Sequence, residues 1–361
     1  MNFVSYIMVV FSVIAAIDRI FGSRLGLGKE FDKGFMLLGT MMLSMTGMIV
    51  ISPLLADLLR PVFDFVYNTF GIDPSVIPAA FFANDMGGAP LCVEVAKDVE
   101  VGKFNALVVS SMMGATVSFT IPFALGIVKN NVKELMVGIL CGIVTVPIGC
   151  FVSGLMLSIP LKTLIINVLP LVIFSVIIAL GLLLIPDICV KIFKGIAFFI
   201  KALITIGLAL GILRFLIGVE LVKGLETIEN GAMVCVNASI VMSGAFPFMY
   251  IISRLLDKPL SAFATRVGIN KTSAVGLVSN LATNATTFQM MNDMDSKGAM
   301  VNSAFAVSAA FTFAGHLAFT MAFDDAYILY VIVGKLLSGV CSLIIAFPLY
   351  NRIFKKNNAT A

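Results

Sequence analysis

Long apolar runs recur along the whole chain, separated by short polar clusters. A run of roughly 17–25 apolar residues is long enough to cross a bilayer as a helix. By that measure spanning helices are expected at about 2–22, 33–58, 103–128, 133–158, 162–185, 188–218, 228–256, 298–323 and 326–351. Two further segments, 74–97 and 271–292, have the length but are interrupted. The first reads Phe82-Ala83-Asn84-Asp85-Met86-Gly87-Gly88-Ala89-Pro90 at its centre, the second Asn280-Leu281-Ala282-Thr283-Asn284-Ala285-Thr286-Thr287. Polar, glycine and proline residues there unwind a helix, and unwound backbone is tolerated at membrane depth only inside protein or beside water.

The pattern occurs twice. Gly34 and Gly231, Gly47 and Gly244, and Gly71-Ile72 and Gly268-Ile269 each stand 197 positions apart (231 less 34). Leu58-Leu59 and Leu255-Leu256 keep that offset, and Pro61 and Pro259 miss it by one. Asn84 then pairs with Asn284 and Asn105 with Asn302. Apolar matches between helices are cheap, but glycines and prolines held at one offset are not. The expected organisation is a repeat at 1–161, a linking helix at 162–186 and a second repeat at 187–361.

Loop charge bears on orientation, because Lys and Arg favour the cytoplasm. The loop after the first helix carries Arg19, Arg24, Lys29 and Lys33 and is placed inside. If both interrupted segments cross fully, Arg254, Lys258, Arg266 and Lys271 fall outside. If each is a re-entrant hairpin they fall inside, together with Lys129, Lys133, Lys191, Lys194, Arg352, Lys355 and Lys356. The loop holding only Arg60 then mirrors one holding four basic residues, as inverted repeats require. Two parallel repeats with broken but fully spanning helices are the alternative.

Composition agrees with a lipid solvent. Apolar residues make up 60% of the chain and charged ones 12%, with a mean hydropathy of +1.07. A soluble domain carries about 25% charged residues. The net charge of +4 leaves no nucleic-acid footprint. The six cysteines lie in or beside apolar runs with no CxxC pair, so they read as small hydrophobes rather than disulfides or metal ligands. The first segment lacks a basic start and a cleavage-site pattern, which favours a retained helix over a removed signal peptide.

Asp85 is the candidate with the sharpest chemistry. A carboxylate at bilayer depth is costly unless paired or wet. It reads as the counter-charge for a cationic solute or coupling ion, or as a helix cap together with Asn84. The second break has no acid; it offers Asn280, Thr283, Asn284, Thr286 and Thr287, which could bind a hydroxyl or satisfy local backbone. Asn105 and Asn302 could line the site or cap helices. Three further residues are candidates for gating or coupling. Glu94 has Lys97 and Asp98 three and four residues on, favouring a wet helix surface. Lys335 stands well inside the last apolar segment, and His316 is the only histidine, within an apolar helix. Phe81, Phe82 and Phe288 flank the breaks and could face a cation. No metal spacing, cofactor motif or nucleophile–base pair is present in the sequence.

Several stretches carry a family resemblance. Ala83-Asn84-Asp85-Met86-Gly87-Gly88, Gly142-Ile143-Val144-Thr145-Val146-Pro147-Ile148-Gly149-Cys150, the run from Asn302 to Phe311 and Val333-Gly334-Lys335-Leu336 together resemble the ethanolamine permeases of bacterial ethanolamine-utilisation systems. The likeness runs from Asp18 to Lys335. It implies a multi-pass protein of the bacterial cytoplasmic membrane that admits ethanolamine, mostly an ammonium cation at neutral pH. In that reading Asp85 holds the ammonium and the opposite Asn or Thr groups hold the hydroxyl. Gly315 is a departure, since family members often have an acid there, and one coupled to proton movement would be missing here. The implied partners are the solute and the bilayer, with homo-oligomers left open. Another small amine or a nucleoside-like solute, a non-transporting scaffold or sensor, and last an intramembrane enzyme are the other readings.

Overall fold

The computed structural model describes residues 3–354 of the chain. It is helical throughout, and among the described residues eight helices are long and apolar enough to cross a membrane. In chain order these are α1 (Phe3–Ile20), α2 (Leu27–Phe70), then after an interrupted segment α5 (Val99–Ile127), α6 (Val132–Met156), α7 (Leu161–Leu184), α8 (Pro186–Ile217), α9 (Ile228–Leu255) and, last, α15 (Asp325–Ile353). The first interrupted segment holds α3 (Val76–Phe81) and α4 (Gly88–Val95). After α9 come α10 (Asp257–Val267), then the second interrupted segment, α11 (Lys271–Ala282) and α12 (Asn284–Met290). α13 (Ser296–Ala309) and α14 (Gly315–Phe323) follow. Lys355 and Lys356 lie outside the described residues, as does the side chain of Lys258.

Most predicted helices appear within a few residues. Three differences have physical causes. α2 is longer at both ends than the 33–58 expected, because the polar flanks Leu27–Lys33 and Asp57–Phe70 continue the helix beyond its apolar centre. α10 is an extra helix of polar character that the hydropathy pattern alone does not reveal. The helix expected at 298–323 is broken at Ala310–Ala314, where Phe311 takes a left-handed conformation (φ 62°). Phe311 N–H donates instead to Asn280 O (3.0 Å) and Phe313 N–H to Leu281 O (2.9 Å), so α11 supplies the acceptors that the helix gives up.

Two of the matched glycine pairs sit at close helix contacts. A Cβ on Gly34 would lie 2.5 Å from Ser243 N, and one on Gly231 would lie 2.9 Å from the Thr46 side chain. Thr46 and Ser243 are themselves 197 positions apart (243 less 46). Within this contact Gly34 meets Ser243 while Thr46 meets Gly231, so α2 and α9 run antiparallel there. The same exchange recurs one helix away. A Cβ on Gly47 would fall 1.8 Å from Ile204 O of α8, and one on Gly244 would fall 2.1 Å from Met8 O of α1. Backbones approach this closely only where both surfaces are small, the usual way membrane helices gain dispersion contact. α6 and α15 also cross antiparallel: Thr145 Oγ1 bonds Ser338 O (3.1 Å), and Ser153 Oγ donates to Tyr330 O (2.8 Å).

Both interrupted segments have their two ends side by side. α2 stops at Gly71 and α10 at Gly268, both left-handed C-caps (φ 67° and 69°). Asp73, buried, then accepts N–H bonds from Lys97 and Asp98 (3.0 Å each), twenty-four and twenty-five residues on. Its other oxygen accepts from Ser75 N–H (3.0 Å) and Ser75 Oγ (2.5 Å). In the second segment Asp295 accepts from Asn270 N–H (2.7 Å) and Ser273 Oγ (2.7 Å). Asp98 and Asp295, 197 positions apart (295 less 98), cap the helices that follow, α5 and α13.

Candidate functional site

The first break is a short stretch of non-helical backbone held by α5. α3 ends at Phe82, which is extended (φ −112°, ψ 133°). A single turn, Asn84–Met86, follows, and Gly87 (φ +83°) starts α4. Glycine is required at 87 twice over: its φ is left-handed, and a Cβ would lie 2.0 Å from Met48 Cγ. Pro90 is tolerated because it occupies the first turn of α4, where no intrahelical donor is needed. The freed backbone groups find α5 hydroxyls. Ser110 Oγ donates to Phe82 O, and Ala83 N–H donates to Ser118 Oγ (3.2 Å).

This turn presents Asp85 to α14. Its Oδ1 lies 3.8 Å from His316 Nε2. His316 Nδ1 lies 3.0 Å from Lys335 Nζ, which also donates to Ser111 O (2.7 Å). Lys335 is 1% exposed and His316 2%, whereas the Asp85 side chain keeps 28% exposure. With Lys335 as the ammonium, which has donors only, Nδ1 accepts from it and Nε2 carries the ring proton towards Asp85. Three ionisable residues singled out separately in the sequence therefore stand in one line, open to the surroundings at the carboxylate end. Gly315 borders it: a Cβ there would be 3.7 Å from Asp85 Oδ2, in ordinary contact with the carboxylate.

Asn84, beside Asp85, is fully buried, and neither its carboxamide oxygen nor its nitrogen has a hydrogen-bond partner. An unsatisfied buried amide is costly.

The second break is neutral. Thr283 is extended and caps α12, its Oγ1 accepting Ala285 N–H (3.2 Å). Asn284 is buried; its Nδ2 donates to Thr120 Oγ1 (2.9 Å), while Oδ1 has no partner. Thr287 Oγ1 donates to Gly276 O (3.1 Å), and Thr286 is exposed. Asn280 Nδ2 reaches Asn302 O (3.3 Å), and its Oδ1 is unpartnered. An edge of aromatic rings runs between the two breaks: His316 packs on Phe311 (5.0 Å between centroids), Phe311 on Phe119 (5.9 Å), Phe119 on Phe123 (5.0 Å) and Phe123 on Phe288 (6.4 Å).

Other candidates fall elsewhere. Asn105 Nδ2 donates to Ser75 Oγ (2.8 Å), which stitches α5 to the base of the first interrupted segment, and Asn302 Nδ2 donates to Ser273 O (2.8 Å) at the base of the second, while Asn302 O also accepts from Asn280 at its break. Glu94 is exposed and borders a cavity of about 240 Å³ shared with Arg60, Asp64 and Lys97. Phe81 packs on Phe174 of α7 (5.1 Å). Ser111, Phe311, Asp73 and Asp295 escaped sequence reasoning. Of these only Asp295 left a signal, its match with Asp98.

The interrupted helices bury charged and unsatisfied polar groups inside a multi-span helical membrane protein. The chain belongs to the family described as "Ethanolamine utilisation protein, EutH", which matches residues 1–349. It is 38% identical to a "Probable ethanolamine permease EutH" of Listeria monocytogenes, over 98% of this chain and 95% of that protein. A protein of the same name from Escherichia coli is 37% identical over 99% and 96%. The "Uncharacterized protein YxeR" of Bacillus subtilis is 35% identical over 93% and 91%. No solved structure matches the chain.

Proposed function

We propose that this protein is a permease for ethanolamine, taken up as its ammonium cation into the bacterial cytoplasm, and that it is not an enzyme. The observation that carries this reading is the part-exposed Asp85 carboxylate at a helix break, beside an Asn84 amide with no partner. A small solute with one positive charge and one hydroxyl supplies what each lacks: an ammonium for the acid, and a donor and acceptor for the amide. The names of the relatives point to the same solute. Asn284 Oδ1, at the other break, is the candidate partner for the hydroxyl from the opposite side.

The same reading takes the halves as inverted repeats, 1–161 and 187–361, joined by a helix at 162–186. It is supported by the antiparallel contact of the equivalent stretches 34–46 and 231–243, since equivalent spanning helices of parallel repeats run the same way. The two interrupted segments are read as re-entrant hairpins, supported by the meeting of their ends at Asp73 and at Asp295. Alternating access would then follow from exchange of roles between the halves. Uptake of labelled ethanolamine into proteoliposomes tests the function. Saturable, protein-dependent uptake that unlabelled ethanolamine competes away is expected; uptake no faster than in empty liposomes rejects it.

A further inference from the structure

We infer that each ethanolammonium taken up displaces one proton from the line formed by Asp85, His316 and Lys335, so that transport is electroneutral. This rests on the ethanolamine reading and adds the identity of the exchanged ion.

The argument is a count of charge. Asp85 contributes one negative charge and Lys335 one positive charge, with neutral His316 between them at 3.8 Å and 3.0 Å. The line is balanced before any solute arrives. Among the described residues, the other neighbours add no charge to it. α2 presents Met48, α9 presents Met242, and α5 presents Ser110 and Ser111. Phe311 stacks on the imidazole, and α6 brings the Cys150 thiol near Lys335. A second cation at Asp85 would leave a surplus positive charge, and Lys335, fully enclosed, is where it would be least tolerated.

Loss of one proton restores the balance, and the contacts provide its route. The Nζ–H bond aimed at His316 breaks, leaving its electron pair on the lysine nitrogen. The proton enters the ring at Nδ1, and the Nε2 proton leaves past the exposed edge of Asp85. Imidazole suits this because each ring nitrogen can take or give the proton in turn. The sum of ammonium in and proton out is the movement of neutral ethanolamine, carried in its abundant charged form. The membrane potential would therefore neither drive nor oppose it.

Proteoliposomes loaded with potassium and treated with valinomycin test this, with pH held equal on both sides. Wild-type protein is expected to take up ethanolamine to equal concentrations whether or not a potential, negative inside, is imposed. Carriage of a bare cation would instead accumulate it about tenfold for every 59 mV, and that result in the wild type would overturn the exchange while leaving the ethanolamine reading intact. Absence of any uptake would reject the ethanolamine reading and the inference with it. Lys335→Met, which removes the displaced proton, is expected to make residual uptake follow the potential. Should that variant not fold, the wild-type experiment decides alone. As a second readout, wild-type protein in weakly buffered detergent should release one proton per ethanolammonium bound.

Discussion

The two interrupted segments share a plan and differ in chemistry. Each begins after a left-handed glycine cap, closes on an aspartate at its base and opens near its middle. At the opening one presents a carboxylate and a wholly unpartnered amide, the other a threonine cap and an asparagine already tied to Thr120. The shared features are those that hold backbone in a membrane, and the differing ones are those that would meet a solute. Scaffold and selectivity are thus separable within one element: the base sets position, the tip sets what is held.

The comparison can be broken at its strongest point by changing the tip alone. Asp85→Asn keeps the shape and removes the charge; saturable uptake should fall more than about 100-fold, near 3 kcal/mol in the transport step, with thermal unfolding in detergent unchanged. Normal uptake would take the acid out of the site. Changing the bases should do the reverse. Asp73→Ala strips four hydrogen bonds from a buried carboxylate and should destabilise by about 3 kcal/mol. Asp295→Ala, at a half-buried site, should cost about 2 kcal/mol. Both are read as the unfolding midpoint in detergent, and a silent Asp73→Ala would show that the base does not hold the segment. The equivalence of the halves is sharpened by Gly47→Ala and Gly244→Ala, each expected to cost about 2 kcal/mol by forcing apart a backbone contact; clearly unequal losses would mark one contact as incidental. Smallest of all, Asn284→Ala should raise the KM for ethanolamine about tenfold, or ~1.4 kcal/mol, with little change in stability. An unchanged KM would place the hydroxyl elsewhere.

Much of this was legible in the chain before any coordinates. Asn84-Asp85-Met86-Gly87-Gly88 is a polar and glycine-rich island in an apolar run, and such an island has few physical meanings in a membrane. The 197-residue offset of Gly34, Gly47 and Gly71 pointed to a repeat, and two of these positions, Gly34 and Gly47, lie at helix contacts with no room for a Cβ. The break at Ala310–Ala314 left no such trace. Ala-Phe-Thr-Phe-Ala contains no breaker, and the backbone opens there because Asn280 and Leu281, some thirty residues earlier, offer acceptors. The extra length of α2 and the existence of α10 were hidden for a simpler reason, since their polar faces lower the hydropathy that marks a spanning helix. Asp85, His316 and Lys335 were each conspicuous as ionisable residues in apolar sequence. Their alignment was not, because it depends on how three separate elements pack.

The opened backbone at 310–314 also has a mechanical meaning. Through the bonds from Phe311 and Phe313 it is tethered to the last turn of α11, one residue short of the neutral tip, while His316 follows immediately on the other side. A shift of that tip would pull on this strap and swing the imidazole relative to Asp85. News of an occupant at one opening could then reach the other along a few residues of main chain, with no rearrangement of the surrounding bundle.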